Sequence, residues 1–504
     1  MLILQINHVL AIQTPLLFVY SKFVIMTSHS RRNFIRNTAV AGVGTSLMGP
    51  QVFTSPLPSS RAAKKIIVAG GGIAGLCAGY ELMKRGHDVT VLEASGRHGG
   101  HVFTARDGLS DGLYGDYGAE HITRPGYERY WQYLNELGVE ALPYPRRKNL
   151  LRQIDGKFYT EEMLSDRSVL TKMGFNPTEV DYLSKHPYWD LVSLYNKPYL
   201  DKFTDEYQPF GVGYDNMDNT PIAAIYKKGG ASAKALDLLG GANTSALFEL
   251  WRSAILKLRG VSQFPVDVFR LKGGNQSLPT AFAKKLGDRV KLNCPIQSIE
   301  HDKAGVRVKF KWMGEPQELS ADYLVNAIPP PAFRKIIVTP GFSPEKQFVL
   351  DNVQYDSYQR FVFQCSSKFW EKDKISINIE FDSPDLWSVW QSAEEVDTHR
   401  VIVLGTGAGG ITPQRAMAVF KENYPGATKP TVEQVVSKDW TKDGFAPTCE
   451  RVHFPMGQLH KFWPEIMKPS GRIYFAGAST DNLNWGMEAS TRSAYRAADE
   501  IDKA

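Results

Sequence analysis

Between residues 64 and 93 the chain carries the parts of a site for a dinucleotide. Lys64-Lys65-Ile66-Ile67-Val68-Ala69 is a short β-branched run, which by composition is a buried strand. Gly70-Gly71-Gly72-Ile73-Ala74-Gly75 follows, then a helical pattern through Leu76, Tyr80, Leu82 and Met83 that Gly86 closes. Asp88-Val89-Thr90-Val91-Leu92 is a second strand, and Glu93 stands at its end. Strand, GxGxxG, helix, strand and acid in about 30 residues make a nucleotide-binding βαβ unit. Gly70 permits the tight turn, Gly72 lets the backbone approach a pyrophosphate, and Gly75 lets helix and strand pack closely. The helix N-terminus, with Ile73 and Ala74 in its first turn, offers N–H groups and a positive dipole end to phosphate. Glu93 can accept both ribose hydroxyls, and its charge would repel the 2′-phosphate of NADP.

Further motifs extend this site along the chain. Ala94-Ser95-Gly96-Arg97-His98-Gly99-Gly100-His101 follows Glu93 directly, and Asp116-Tyr117-Gly118-Ala119-Glu120-His121 comes next. Lys272 to Pro279, Val290 to Ile299 and Asp322 to Pro330 hold a Gly-Gly element and two strands. Gly471 to Gly477 is a last strand, after which Asn484-Trp485-Gly486-Met487-Glu488-Ala489 opens a helix. In this order, over roughly residues 64–504, the motifs resemble the flavin-containing amine oxidases and are most like L-amino-acid oxidases in pattern.

The resemblance implies FAD. It puts Ala94, Arg97, Gly99, Gly100 and His101 beside the pyrophosphate, with His101 where the family has Arg. It runs the backbone of Gly118, Ala119 and Glu120 past the flavin ring and pairs the backbone of Ile296 with adenine. Gly477 and Ala478 form the second phosphate segment, with Ala478 where the family has Glu. The helix opening at Gly486 and Met487 faces the flavin pyrimidine, where its dipole stabilises negative charge. The family's covalent attachment is a Cys near this last segment, and no Cys follows Cys449, so the flavin is expected to be non-covalent.

Three positions fall at the chemistry by the same resemblance: Arg360, His121 and Trp485. The family holds a Lys at flavin N5, ten residues before the Trp of a Phe-Trp pair. Here the pair is Phe369-Trp370 and the matching residue is Arg360. A guanidinium does not deprotonate, so Arg360 can hold a water and stabilise an anionic flavin but cannot act as a neutral base. A surface position in a shifted register is the alternative. His121 stands where amino-acid oxidases hold the substrate carboxylate with Arg. Imidazole lacks the bidentate fork, so a simple amine competes with an amino acid as substrate. The expected reaction is oxidation of an amine or L-amino acid to an imine, by hydride transfer to flavin, with oxygen as acceptor giving peroxide. The alternatives are a tryptophan 2-monooxygenase-like reaction, a flavin dehydrogenase with a quinone or other carrier as acceptor, and a non-catalytic FAD-binding protein.

The elements that must position these groups form an α/β fold. A Rossmann-type FAD-binding domain is assembled from residues 64–124, 266–334 and 451–504, and a mixed-sheet and helical substrate domain from 125–265 and 335–450. The second set is rich in aromatic residues, among them Tyr127, Tyr130, Trp131, Tyr188, Trp189, Phe264, Trp370, Trp387 and Trp390. Such a lining suits an uncharged amine bound against flavin. The 504 residues are 43% hydrophobic and 22% charged, which excludes a disordered, collagenous or disulfide-scaffold chain. Cys77, Cys294, Cys365 and Cys449 show no CxxC spacing, so no metal module is expected.

The net charge of +6 is concentrated in residues 1–63, which hold five of the basic residues and no acid. Basicity confined to a leader argues against nucleic acid as a partner. Arg31-Arg32, Phe34-Ile35 and the small apolar stretch Thr38 to Met48 resemble a twin-arginine signal, implying an export translocase and a periplasmic or secreted product. Residues 1–25 are apolar but broken by polar residues and Pro15. They read as an upstream extension of a start at Met26, or alternatively as a membrane anchor.

Overall fold

The computed structural model describes residues 62–425, 431–447, 452–483 and 486–504. The leader with Arg31 and Arg32, Cys449 and Trp485 lie outside these residues. The β-branched run becomes strand β1 (Lys65–Ala69), flanked by β2 (Asp88–Leu92) on one side. With β3 (Val290–Lys291), β4 (Tyr323–Asn326) and β5 (Ile473–Phe475) they form a parallel sheet in the order β3-β2-β1-β4-β5. Alternation along β1 divides the packing. Ile66 and Val68 join the core beneath helix α1 (Ile73–Lys84) and the C-terminal helix α2 (Gly486–Lys503). Ile67 and Ala69 pack on the other face against Ile299, Val308 and Phe310 of a four-stranded sheet. Gly86, at φ +87°, turns the chain from α1 into β2.

The chain also forms a seven-stranded sheet. Its strand Gln359–Cys365 is buried along its whole length, antiparallel to Val401–Gly407 on one side and Val432–Asp439 on the other. A helical region between Arg167 and Leu258 builds a separate apolar core around Phe248 and Trp251.

A small three-stranded sheet decides where the functional loops meet. Val268–Leu271 pairs antiparallel with Ile122–Thr123 and with Ala141–Tyr144. His121, Arg147 and Phe264 leave these strands within four residues of their ends. Arg270 fixes this sheet from inside: only 2% exposed, it donates to Glu394 at 2.7 Å, to Glu395 at 2.6 Å and to the Tyr114 hydroxyl. Burial alone would raise the Glu395 carboxyl, but bonds from Arg270 and Tyr114 hold it down at about 2.

Because this folded value lies below the ordinary one of 4.5, the stabilisation from Glu395 is present above pH 4.5 and is lost as pH falls toward about 2. Thermal melts of Glu395→Gln should therefore lie below wild type at neutral pH, and the gap should close across that acid window. A gap of constant size down to pH 2 would show that the carboxylate's charge is not what matters.

Candidate active site

A cavity of ≈ 640 Å³ begins where β1 and β2 end. Its first wall is the glycine loop. The N–H of Gly71 donates to Glu93 Oε2 at 2.7 Å, and Ser95 donates to Glu93 Oε1 from its backbone at 2.8 Å and its hydroxyl at 2.7 Å. These bonds fix the carboxylate where it borders the cavity. Gly75 lies behind the wall rather than on it: a Cβ there would sit 1.9 Å from the Gly70 carbonyl oxygen. Gly72 precedes helix α1 as its N-cap and offers no side-chain cap, and Gly72, Ile73 and Ala74 all border the cavity. The first four N–H groups of a helix lack intrahelical partners, so this end suits a phosphate.

The turn from Arg97 to His101 packs against that loop, backbone on backbone. Gly99 N–H donates to the Gly71 carbonyl at 2.9 Å, and a Cβ on Gly100 would lie 3.0 Å from Gly72 Cα. Arg97 donates to the Gly100 carbonyl at 2.9 Å with its guanidinium 4.0 Å from the Phe103 ring centroid. Ala94 and Ile296 border the cavity beside Glu93, and Gly477, Ala478, Gly486 and Met487 border its far side.

Beyond His101 the wall changes character. Gly118 does not border the cavity; a Cβ on it would lie 1.7 Å from the His101 carbonyl oxygen, so only glycine lets this segment run past. Ala119 and Glu120 then continue the wall. The His101 ring packs 4.3 Å from Trp440, and burial, then Arg360 and Arg97, push its basicity down to about 3. At physiological pH it is a neutral imidazole where the family pattern carries a fixed charge.

Arg360 is 3% exposed, which removes the surface reading. It lies behind the cavity wall, donating to Thr406 Oγ1 at 2.6 Å, to the Tyr358 hydroxyl at 2.9 Å and to the Gly118 carbonyl at 3.3 Å. The residue directly opposite it on the next strand is Lys438, which does border the cavity. Lys438 donates to Asp443 at 2.6 Å and lies 5.1 Å from the Trp440 ring centroid. Lys438 and Asp443 thus border the cavity as an ion pair, and Arg360 adds its fixed positive charge behind that wall. Sequence spacing gave no sign of Lys438, because its relation to Arg360 exists only through strand pairing.

His121 borders the cavity with a group the sequence left unassigned. Its Nδ1 lies 2.7 Å from Glu120 Oε1 and its Nε2 lies 3.3 Å from Arg147. Glu120 also pairs with Arg146, whose guanidinium lies 3.9 Å from the Trp390 ring centroid. Arg147, Gln263 and Phe264 border the cavity together with Tyr127. Of the aromatic residues expected to line the site, Tyr127 and Phe264 do so. Tyr130, Trp370 and Trp390 are core residues, and Trp387 is 41% exposed.

Glycine loop, acid, second glycine turn and C-terminal helix thus enclose one space, in the order the sequence motifs imply. The sequence matches the profile of the flavin containing amine oxidoreductases over residues 73–502. The chain belongs to this family. Its relatives include an L-amino-acid oxidase of Pseudechis australis, 25% identical over 464 residues that cover 88% of this chain and 87% of that protein. Its fold is shared by a triple mutant of putrescine oxidase, with a TM-score of 0.74 at 19% identity over 87% of this chain and 98% of that one. It is shared also by cyclohexylamine oxidase from Brevibacterium oxydans, with a TM-score of 0.71 at 21% identity over 88% of this chain and 99% of that one. The uncapped α1 terminus and the close-packed glycines fit the flavin nucleotide that this oxidoreductase family carries.

The Gly70–Gly75 contact gives a direct test. Gly75→Ala adds a Cβ against the Gly70 carbonyl, which should cost about 1–3 kcal/mol through forced displacement of loop and helix. Flavin content per protein, read from absorbance, should fall about tenfold if the loop carries that strain into cofactor binding. Full flavin loading in the variant would show that the contact is not needed for the cofactor.

Proposed function

We propose that the protein binds FAD non-covalently and oxidises an amine or amino acid to an imine, with oxygen as the electron acceptor. The observation that carries this reading is the continuity of the cavity: Glu93, Cys294 and Ile296 border the same space as His101, Met487, His121 and Arg147. Glu93 and Ile296 would hold the adenosine end of the nucleotide, His101 would stand beside its pyrophosphate, and Met487, His121 and Arg147 would face the reacting end. Among the described cysteines, Cys294 borders the cavity, at the Glu93 end. When bound, the flavin supplies the oxidant, taking a hydride from the carbon that bears the amine and passing two electrons to oxygen as peroxide.

The chain's own residues do the rest. Tyr127, Phe264 and Tyr355 wall the space and exclude water, which favours the neutral amine needed for hydride release. The charges of Arg360 and Lys438 favour negative charge at the end of the cavity beside them. Neutral His101 adds no further charge there. Residues 64–124, 266–334 and 451–504 serve the cofactor in this reading, and 125–265 and 335–450 the substrate. We also propose that Arg31 and Arg32 direct export of the loaded protein through a translocase, to a periplasmic or secreted location.

Anaerobic mixing of the yellow holoprotein with a panel of amines and amino acids should bleach the flavin, air should restore it with one peroxide per turnover, and denaturation should release intact FAD. A coloured protein that no amine or amino acid bleaches would leave cofactor binding without the oxidation. For the leader, replacing Arg31 and Arg32 with Lys should hold the protein in the cytoplasm; unchanged export would assign the leader to another route.

A further inference from the structure

The wall that carries His121 holds two consecutive arginines with different surroundings. Arg146 does not border the cavity; it pairs with Glu120, itself 5% exposed, and stacks on Trp390. Arg147 borders the cavity. Its NH1 donates to the Pro265 carbonyl at 2.8 Å and its guanidinium lies 4.0 Å from the Phe264 ring centroid. Its NH2 lies 3.3 Å from His121 Nε2, whose other nitrogen is turned to Glu120. The guanidinium is thus held in plane by an aromatic face, a carbonyl and an imidazole before any ligand arrives. Glu120 offsets one of the two arginines, so Glu120, Arg146 and Arg147 together contribute a net +1 to this wall.

A fixed guanidinium on an apolar, aromatic wall recognises a planar anion, because its fork matches the two oxygens of a carboxylate. The residue at the family's carboxylate position is His121, which lacks that fork. The three-stranded sheet brings Arg147 alongside it from 26 residues further on. We propose that Arg147 binds a carboxylate on the substrate, so that the substrates are amino acids rather than simple amines. This rests on the reading of the protein as an FAD-dependent oxidase and assigns the recognition in it to a residue outside the family motif. His121 and Glu120 are then positioning residues for Arg147. With a guanidinium supplied from another strand, His121 in place of Arg no longer makes a simple amine an equal competitor in this proposal.

The test uses the holoprotein, with L-phenylalanine and 2-phenylethylamine as a pair that differs only in the carboxylate, and benzoate as a non-reacting probe. Wild type should bleach with L-phenylalanine at least about 100-fold more efficiently in kcat/KM than with the amine. Arg147→Met should lose about 100-fold in kcat/KM for L-phenylalanine, mostly in KM, and with it the preference for L-phenylalanine over the amine. Calorimetry should show benzoate binding to wild type, weakened at least about tenfold in Arg147→Met and partly restored in Arg147→Lys. Flavin content and melting temperature report whether each variant has folded, and the wild-type comparison of the substrate pair stands even if Arg147→Met does not. Preference for 2-phenylethylamine in wild type overturns the proposal and leaves the oxidase reading intact. Equal benzoate binding by wild type and a folded Arg147→Met also overturns it. Bleaching by neither compound nor any other amine or amino acid defeats the oxidase reading instead, while the benzoate arm still reports on Arg147.

Discussion

The cavity depends on backbone meeting backbone with no side chain between. Gly75 lies against the Gly70 carbonyl, Gly100 against Gly72, and Gly118 against the His101 carbonyl. Each contact removes a Cβ from a place where one would collide, and together they draw three separate chain segments around one elongated space. The hydrogen bonds from Gly71 and Ser95 to Glu93 lock the first of these contacts to the end of β2. His101 is mounted directly on these contacts, while Lys438 and Arg147 reach the same space from separate sheets.

The parts legible in the sequence were those whose partners lie close along the chain. The glycine loop, its helix and Glu93 fall within about 30 residues, and their types and spacing imply their arrangement. Gly477 and the helix from Gly486 were legible only through resemblance, because their partner strands are distant in sequence. The Arg147–His121 contact was not legible at all. It arises from the pairing of Val268–Leu271 with two short strands, and nothing local in Ala141 to Arg147 announces it. Arg360 shows the opposite difficulty. Its strand was readable, yet the fully buried pattern of Gln359–Cys365 gives no alternation from which to choose the face. Aromatic content was the weakest guide, since Tyr130, Trp370 and Trp390 fill cores while Tyr127 and Phe264 reach the cavity.

Two charge arrangements divide the far half of the cavity. On one side Arg360 and Lys438 face each other across a pair of strands, with Asp443 drawing off part of the Lys438 charge. On the other, Glu120 compensates Arg146 and leaves Arg147 on the wall. Burial first, and then the charges of Arg360 and Arg97, hold His101 neutral, which explains how an imidazole is accommodated there: as a guanidinium it would add a further buried cation to this set.

The order of assembly follows from the parallel sheet. Strand β5 is its edge, and helix α2, whose first residues border the cavity, closes the core over β1 and α1. During synthesis β1 and α1 emerge more than 380 residues before β5 and α2, so the glycine loop waits for its covering wall until those later elements have been made. Pairing at that sequence separation is slow to form, and until it does the apolar faces of α1 and β1 are open to aggregation. Capture of the nucleotide therefore belongs to the end of folding. Loss of even one turn of α2 would be felt first as a failure to mature.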